Sequence, residues 1–286
     1  MNFFKSAVAY ADLIKLGHTL FALPFALSAL CLAYLDGHKP TIATIFWVIL
    51  AFAGARAAAM GFNRIVDRDV DALNPRTKTR PSVTGKISIA DAKVFTIIST
   101  LVFFISALMI NWLCFILAFP ALAVLLGYSY AKRFTFTAHY IVGVALAIAP
   151  VGAWIAVSGT FSPKILALSL ALLFNIAAFD LIYALQDMDF DKSHKLHSIP
   201  AKFGRKFTLM LSGISFVIAT TLLVATGILF NLNNFYFICV AIIAMLYALG
   251  EFAICKYGET KTQLVFFYEN VAVSILIFAG TLSNLF

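Results

Sequence analysis

The sequence carries little charge, and this excludes several classes of protein. Only 12% of its 286 residues are Asp, Glu, Lys or Arg, about half the share that is typical of a soluble domain. No polar stretch is long enough to fold as a separate soluble domain. The four cysteines show neither CxxC nor Cys/His spacing, which excludes a zinc site and indicates small packing residues. The first apolar segment lacks the cleavage pattern of a signal peptide, so we expect it to remain as a helix.

What the sequence has instead is apolar residues in long runs. Hydrophobic residues make up 62% of the chain, and 29 of them are Phe. The runs are long and do not alternate with polar residues, which predicts an all-α integral membrane protein rather than a β-barrel. With about 20 apolar residues per crossing, we expect nine transmembrane helices, at 13–35, 41–63, 93–110, 112–130, 138–158, 164–184, 208–230, 234–255 and 263–284.

The Lys and Arg residues predict how these helices are oriented. Of the 21, all lie on one side of the predicted topology except Lys39 and Lys164, which lie on the other side, and Arg56, which lies inside a helix. Basic residues mark cytoplasmic loops, so we expect the amino terminus and the two polar loops, 64–92 and 185–207, in the cytoplasm. The net charge of +8 then needs no nucleic-acid partner.

Two carboxylate pairs share one spacing. Asp67 and Asp71 end the second predicted helix within "MGFNRIVDRDVDALNPRTKTR", and Asp187 and Asp191 end the sixth within "FDLIYALQDMDFDKSHKLHSIP". The offset between the pairs is 120 residues. We therefore predict one polytopic domain over 1–286, built from two related four-helix halves and a ninth helix.

The spacing has a chemical consequence. Residues four apart lie side by side on a helix, so Asn63, Asp67 and Asp71 share one edge, with Arg56 deeper on the same stripe. Close carboxylates repel each other, and a helix carboxyl end is itself negative. Mg²⁺ completed by water and substrate phosphates commonly satisfies such an arrangement.

Basic residues follow both pairs and would suit a diphosphate beside the metal. Arg forks are good phosphate ligands. The candidates for binding substrate are Arg76, Arg80, Lys132 and Arg133. The positive-inside rule alone explains any one of these cations, but it does not explain the acids.

The two motifs together resemble the UbiA superfamily of intramembrane aromatic prenyltransferases. The first motif is Asn-x3-Asp-x3-Asp at Asn63, Asp67 and Asp71, and the second is Asp-x3-Asp at Asp187 and Asp191. The stretches "HTLFALPFAL", "YSYAKRFT" and "APVGAWIAVSG" also look familial. Arg64 is a departure, because many relatives have an acid in that position, and it puts the number of metal-binding carboxylates in question. Lys195, in place of a frequent Gly, is a second departure.

The resemblance implies a fold and a reaction. The fold is a ring of nine helices around a cavity that opens to the cytoplasm and to lipid. The reaction moves a polyprenyl chain from its diphosphate onto an aromatic acid. Asp67, Asp71, Asp187 and Asp191 would be the catalytic residues and would hold Mg²⁺. We expect the rings of Tyr128, Tyr183 and Phe179 to shelter the allylic cation, and Asp71 or Asp191 to serve as the base.

The acceptor's carboxylate needs a cation as a partner. Arg56 is the favoured candidate, because an arginine within a membrane helix must be paired or must line a cavity. Lys15 and His18, on one face of the first helix, are also candidates, although a pair of interfacial residues that snorkel to the membrane surface would look the same.

Alternatives remain at two levels. Within the family, 4-hydroxybenzoate in ubiquinone biosynthesis is favoured over 1,4-dihydroxy-6-naphthoate in menaquinone biosynthesis, and an inner-membrane location follows from either. Outside the family, a CDP-alcohol phosphotransferase would need an Asp-Gly-x2-Ala-Arg lead-in that is missing here. An ion transporter would need acids at mid-helix. Nothing in the sequence indicates the oligomeric state or the prenyl chain length.

Overall fold

The computed structural model describes residues 3–286, with side chains from Val8 onward, and in this range it contains helices and no strands. The α-helices in chain order are α1 Phe3–Leu13, α2 Leu23–Leu35, α3 Ile42–Val66, α4 Arg68–Leu73, α5 Ile89–Ile110, α6 Trp112–Gly127, α7 Ala131–Phe134, α8 Ala138–Ser158, α9 Ile165–Ala184, α10 Met188–Ser193, α11 Ile199–Leu229, α12 Asn234–Tyr257 and α13 Asn270–Leu282. Four 3₁₀ helices connect some of them, at Leu16–Phe21, Tyr128–Tyr130, Leu185–Asp187 and Gly258–Lys261. A π-helix, Leu264–Glu269, leads into α13.

The predicted all-α membrane fold is confirmed. Over residues 3–286, nine helical segments are long and apolar enough to cross a membrane. They are Leu16–Leu35, Ile42–Val66, Ile89–Ile110, Trp112–Phe134, Ala138–Ser158, Ile165–Ser193, Ile199–Leu229, Asn234–Lys261 and Leu264–Leu282.

The helix starts follow from residues that accept the free N–H groups of a first turn. A side-chain oxygen caps the N-terminus of α5, α6, α11 and α12, from Ser88, Asn111, Ser198 and Asn233 respectively. Gly159 ends α8 with φ of +69°, a conformation that costs glycine little. These local signals explain why most of the predicted span boundaries lie within a few residues of the observed ones.

Four predicted segments differ in detail. The first span is not one helix from residue 13, because the chain breaks at Lys15, which has φ of +49°. The segments 64–92 and 185–207 are not loops throughout, since each contains a six-residue helix, α4 or α10. The seventh span starts earlier than 208 because α11 begins at Ile199 and kinks at Gly204, where φ is +78°.

The chain forms two compact units, and the first takes residues 3–19 and Phe46–Tyr130. Within it α3 packs closely on α5. A Cβ at Gly54 would lie 2.9 Å from the backbone nitrogen of Phe103, so only glycine permits this approach; small residues serve the same purpose at many membrane helix contacts. Leu13 at the end of α1 is fully buried in an apolar cluster with Ile87 and Ala92.

The second unit takes Leu20–Ile45 and Ala131–Phe286. Its centre is α9, which packs against both α8 and α11 and has most of its residues buried. A Cβ at Gly143 of α8 would lie 2.5 Å from the carbonyl oxygen of Leu173, so these two helices are also in backbone contact. A hydroxyl group adds a second link between them, since Ser169 of α9 donates to the Ala147 carbonyl of α8.

These units do not coincide with the two predicted four-helix halves. The first span joins the second unit because α2 packs on α8 and α13. Ser274 donates to the Phe21 carbonyl at 2.8 Å, and Thr281 donates to Ser28 Oγ at 3.0 Å. The relation between the two halves in sequence therefore stays a prediction.

Candidate functional site

The first carboxylate pair lies where α3 gives way to α4. Asp67, with φ of −89° and ψ of 0°, separates the two helices. Helical hydrogen bonds nevertheless continue across the break, because Asp67 N–H donates to the Asn63 carbonyl at 2.9 Å and Asp71 N–H donates to the Asp67 carbonyl at 2.8 Å. Asp71 is only 5% exposed, whereas Asp69 is exposed. The four-residue spacing thus works as predicted, although the helix is interrupted.

Side chains of the first unit already provide hydrogen bonds and positive charges to Asp67 and Asp71. Asn63 Nδ2 donates to Asp67 Oδ2 at 2.8 Å. Arg80 Nη1 donates to both oxygens of Asp71, at 2.6 and 2.5 Å, and Arg64 Nη1 lies 3.9 Å from Asp71 Oδ2. Two guanidinium groups therefore neutralise Asp71, which explains how a carboxylate can be buried there.

The position that departs from the family pattern is part of this arrangement. Arg64 is 4% exposed, and its Nε donates to the Leu13 carbonyl at 3.1 Å. Its Nη1 donates to Asn63 Oδ1 at 3.2 Å. Arg64 thus caps the carboxyl end of α1 and supplies a fixed positive charge beside Asp71, where many relatives have an acid.

Arg76 lies in the turn that follows α4. Its backbone N–H donates to Asn74 Oδ1 at 2.9 Å, and Asn74 is buried. Thr77 fastens the same turn, since its hydroxyl donates to the Asp71 carbonyl at 3.0 Å. The turn carries Arg80 back to Asp71, so the first unit brings this predicted substrate ligand to the first carboxylate pair, while Arg76 lies in the same turn.

Arg56, the predicted carboxylate ligand, lies in α3, within a membrane-spanning segment. Its Nε donates to Thr19 Oγ1 at 3.1 Å and its Nη2 donates to the Lys15 carbonyl at 3.3 Å. Both acceptors are neutral, and no ion pair joins Arg56 to an acid within residues 3–286. The Lys15 carbonyl also accepts from His18 N–H at 2.8 Å, and a carbonyl oxygen has a second lone pair that takes the bond from Arg56.

We predicted that Lys15 and His18 lie on one face of the first helix, and this is wrong because no single helix contains both. Lys15 Nζ makes an ion pair with Asp12 at 2.6 Å, and both side chains are largely exposed. His18 lies in the 3₁₀ helix that follows, beyond the positive φ of Lys15. Lys15 contributes its backbone carbonyl to Arg56, and the binding of an acceptor by the side chains of Lys15 and His18 stays a prediction.

Tyr128, the predicted aromatic partner in the first unit, follows α6 directly. Its hydroxyl donates to Met60 Sδ at 3.7 Å, one helical turn before Asn63 in α3. The neighbouring Ser129 is buried and lies 3.5 Å from Asn63 Nδ2. The 3₁₀ turn Tyr128–Tyr130 thus lies beside the first motif.

The second carboxylate pair has the same local backbone. The 3₁₀ helix after α9 ends at Asp187, which has φ of −102° and ψ of 5°, and α10 begins at the next residue. Asp187 and Asp191 are 5% and 2% exposed, and Asp189 is exposed, as predicted. Asp191 Oδ2 is buried and accepts no hydrogen bond from the described part of the chain. Lys132 Nζ lies 4.0 Å from this oxygen.

The remaining candidates of the second unit lie on α7 and α9. Lys132 and Arg133 both belong to the four-residue helix α7, and the Lys132 carbonyl accepts from His197 N–H at 2.8 Å. This bond ties α7 to the segment that follows the second motif. Tyr183 stacks on Phe266 of the π-helix, with ring centroids 4.2 Å apart.

One pair of polar residues was missed. His139 Nδ1 of α8 lies 2.7 Å from Asp180 Oδ2 of α9. His139 is fully buried, so it is neither the helix cap nor the interfacial residue that its position near a helix start suggests. The two residues are 41 positions apart, and no sequence spacing connects them.

The side chains from Val8 onward form no complete metal site. Among the side chains described, no three His, Cys, Asp or Glu residues are grouped closely enough to hold an ion. Each carboxylate pair is one half of the predicted ligand set, and each lies in its own unit. The four-carboxylate site stays a prediction.

The fold and these residues define the general class. Nine apolar helices make this a multi-pass membrane protein, and two of the helices end in buried carboxylate motifs with arginine or lysine close by. Membrane helices rarely carry such groups without a function.

The chain belongs to the UbiA prenyltransferase family, whose model matches residues 22–275. It is 30% identical over 288 residues to the 4-hydroxybenzoate octaprenyltransferase of Nitrosomonas eutropha, covering 99% of this chain and 98% of that one. It is 31% identical over 249 residues to the 4-hydroxybenzoate octaprenyltransferase of Xanthomonas euvesicatoria pv. vesicatoria, covering 86% of this chain and 80% of that one.

Solved structures give the same fold. A UbiA homologue from Aeropyrum pernix K1, solved without ligand, is similar with a TM-score of 0.85 and 32% identity, covering 94% of this chain and 98% of that chain. A UbiA homologue from Archaeoglobus fulgidus, solved with DMAPP and Mg²⁺ bound, has a TM-score of 0.65 and 21% identity, covering 94% and 98%. The resemblance drawn from the two aspartate motifs is confirmed.

Proposed function

We propose that this protein transfers a polyprenyl group from its diphosphate to the ring of an aromatic acid, and that the acid is 4-hydroxybenzoate, in ubiquinone biosynthesis. The observation that carries the proposal is that a 4-hydroxybenzoate octaprenyltransferase aligns with 99% of the chain. The naphthoate acceptor has no such support, so it becomes the second arm of the test.

Arg56 is the ligand we propose for the carboxylate of the acceptor. Thr19 and the Lys15 carbonyl hold its Nε and Nη2, and both are neutral. A guanidinium has five N–H donors in a planar fork, so donors remain for a planar anion. A cation at this depth in a membrane protein needs a counter-charge or a cavity, and an aromatic carboxylate would supply the counter-charge.

Of the two carboxylate pairs, Asp187 and Asp191 fit a metal ion best. Asp191 presents a buried oxygen with no hydrogen-bond partner in residues 3–286, and such an atom suits a cation. Asp67, Asp71, Asp187 and Asp191 are the residues that would hold Mg²⁺. When bound, Mg²⁺ supplies Lewis-acid neutralisation of the leaving diphosphate. The homologue solved with DMAPP and Mg²⁺ is consistent with this role in the family.

The protein's own cations would bind the diphosphate oxygens. Arg80 is half-buried, is held by Asp71 and belongs to the first unit, whereas Lys132 is half-buried and belongs to the second. Arg76 and Arg133 are close to them in sequence and complete the proposed set. Fixed positive charges of this kind stabilise the negative charge that grows on a leaving diphosphate.

Aromatic rings are proposed to stabilise the allylic carbon as its bond to oxygen breaks. Tyr183 lies one turn before Asp187, and its ring stacks on the ring of Phe266. The π face of an aromatic ring attracts positive charge. Asp71 or Asp191 was the predicted base, and the contacts of Asp71 with Arg80 make it the weaker of the two.

The orientation is part of the proposal. The Lys and Arg residues are concentrated on the side that carries both motifs, so we propose that the motifs face the cytoplasm and that the protein lies in the inner membrane. The diphosphate substrate would then approach from the cytoplasm while its prenyl chain stays in the bilayer.

A product assay tests the function. Purified protein in lipid is given Mg²⁺, a polyprenyl diphosphate and, in separate reactions, 4-hydroxybenzoate or 1,4-dihydroxy-6-naphthoate, with mass spectrometry as the readout. We expect a prenylated product from 4-hydroxybenzoate. A product from the naphthoate alone would move the protein to menaquinone biosynthesis, and no product from either would contradict the proposal.

A further inference from the structure

An acid and a histidine form a buried pair next to the proposed site, and neither has a role so far. Asp180 of α9 and His139 of α8 are joined by the 2.7 Å contact between Oδ2 and Nδ1. His139 is 0% exposed, while the side chain of Asp180 keeps 23% of its exposure. Both residues belong to the second unit, so the pair is formed within one compact body.

The protons can be assigned from the chemistry of the pair. A carboxylate can only accept, so Nδ1 carries a proton and donates it to Oδ2. His139 Nε2 is buried and has no hydrogen-bond partner in the described part of the chain. A bare nitrogen there is less costly than an unsatisfied N–H, which favours a neutral imidazole that donates from Nδ1 to an ionised Asp180.

Only one oxygen of Asp180 is used. Oδ2 accepts from His139, and no hydrogen bond reaches Oδ1 from any residue of the described chain. Since the side chain is partly exposed, Oδ1 is the atom that an incoming molecule can meet. The histidine thus fixes the orientation of a carboxylate whose second oxygen remains available.

The position of Asp180 relates it to the diphosphate. It lies seven residues before Asp187 on the same side of the α9 segment, which is about 10 Å along a helix axis. Tyr183 lies between them. If Asp187 helps to hold the diphosphate, the carbon that loses it lies just beyond the phosphates, on the side of α9 where Tyr183 and Asp180 follow.

A purely structural role would be to link two helices. A neutral hydrogen bond already does this one residue away, where Tyr140 Oη of α8 lies 2.8 Å from Ser215 Oγ of α11. A link has no need of a negative charge in a membrane helix, where ionised groups are rare and functional. Nor does a link need a carboxylate with a free oxygen.

We propose that Asp180 is a catalytic base that accepts the proton of the acceptor's ring hydroxyl, and that His139 is its positioning residue. The role rests on the proposed function, since it takes a phenolic acceptor as given. The O–H bond breaks and its proton forms a new bond to Oδ1. The electron pair left on oxygen enriches the ring carbon beside it.

The rest of the reaction balances without another reagent. That ring carbon bonds to the prenyl carbon, and the bond from the prenyl carbon to oxygen breaks with its electron pair leaving on the diphosphate. Asp191, the base kept in the proposed function, takes the ring C–H proton and passes it to the departing diphosphate, aromaticity returns, and Asp180 gives its proton back to the ring oxygen. Asp180 is therefore regenerated.

Three variants of the full chain in lipid test this role. The substitutions are Asp180→Asn, His139→Gln and, as a matched control, Tyr140→Phe, which removes the neighbouring neutral link. Each is assayed for prenylated product with farnesyl diphosphate and 4-hydroxybenzoate, and for diphosphate release without acceptor. General-base catalysis contributes about 10²–10⁴-fold.

We expect Asp180→Asn to lower product formation by at least about 100-fold while diphosphate release stays within a few-fold of wild type. His139→Gln should lower kcat by about tenfold with KM for both substrates unchanged, because the base is present but badly oriented. Tyr140→Phe should stay within a few-fold in both assays. With 3-fluoro-4-hydroxybenzoate, whose hydroxyl is more acidic, the ratio of wild-type to Asp180→Asn activity should shrink.

Several results would overturn the assignment. Wild-type product formation by Asp180→Asn would do so, and so would a parallel loss of diphosphate release, which would put Asp180 among the diphosphate ligands or the folding residues. If Asp180→Asn does not fold, an unchanged kcat in His139→Gln rejects the role. A wild-type protein that prenylates neither phenolic acid contradicts the proposed function instead, and this role with it.

Discussion

The two carboxylate motifs have the same backbone and different surroundings. In each, a long helix stops, an aspartate with similar dihedral angles follows, and a six-residue helix carries a second, buried aspartate four positions later. In the first motif Arg80 donates to both oxygens of that second aspartate, Asp71. In the second motif the corresponding Asp191 has a buried oxygen with no hydrogen bond among residues 3–286.

The contrast between the two motifs shows which features follow from the four-residue interval and which follow from the neighbouring side chains. A four-residue interval brings each pair of carboxylates to one side of its helix end and turns Asp69 and Asp189 outward. It does not determine whether a carboxylate is already neutralised. Asp71 receives hydrogen bonds from Arg80, whereas Asp191 has Lys132 at 4.0 Å as a counter-charge but no hydrogen bond to Oδ2 in the described chain, so part of its burial cost remains.

The largest expected effect is on metal binding and turnover. Asp191→Asn should lower turnover by about 10³-fold and weaken Mn²⁺ binding by about 100-fold or more, because it removes an oxygen that only a cation would satisfy. Asp71→Asn should weaken Mn²⁺ binding by only about tenfold, because Asp71 must give up Arg80 to reach a metal. Electron paramagnetic resonance titration measures the binding, and the product assay measures turnover.

The exposed aspartates of the same short helices are matched controls for this pair. Asp69→Asn and Asp189→Asn remove equal charge from α4 and α10 without touching the buried side. Both should bind Mn²⁺ like wild type. Equal losses in Asp71→Asn and Asp191→Asn would show that the contacts of Asp71 with Arg80 do not affect its part in metal binding.

How far the sequence predicts the molecule can be judged on particular residues. Long apolar runs predict the spans because a helix must satisfy its own backbone in lipid. The helical period predicts that Asp189 faces away from Asp187 and Asp191. These features depend on local chain properties, and they are correct in the structure.

What the sequence does not predict depends on contacts between distant positions. Arg80 reaches Asp71 only because a turn folds back after α4, and His139 meets Asp180 across 41 residues. Lysine usually avoids positive φ, so the residue type does not predict the positive φ of Lys15. It nevertheless determines that Arg56 bonds to a backbone carbonyl.

Asp71→Asn and Asp191→Asn should also differ in how much they lower the free energy of unfolding when no metal is present. Asp71→Asn leaves Arg64, 4% exposed, and the half-buried Arg80 without their shared anion, and breaking a buried pair in this way costs about 3 kcal/mol. Asp191→Asn removes a charge that is poorly satisfied, so its stability should stay within about 1 kcal/mol of wild type. Thermal unfolding in detergent with a chelator measures both, and equal destabilisation of the two variants would contradict the contrast.

A smaller effect tests how each motif's helix is held. Gly54 of α3 and Gly143 of α8 lie against neighbouring backbone, with a hypothetical Cβ at 2.9 Å from Phe103 N and 2.5 Å from Leu173 O. Alanine at either position should cost about 1–3 kcal/mol, because backbone must move to admit a methyl group. Gly127→Ala in α6 and Gly152→Ala in α8 are the controls, since no heavy atom of the described chain lies within 4 Å of the added Cβ, and their higher helix propensity should leave stability equal or slightly raised.

Because α3 carries the first motif and α8 packs on α9, which carries the second, Gly54→Ala should disturb Mn²⁺ binding less than Gly143→Ala does. The reverse order would mean that the first motif, despite its own ion pairs, depends more on helix packing than the second.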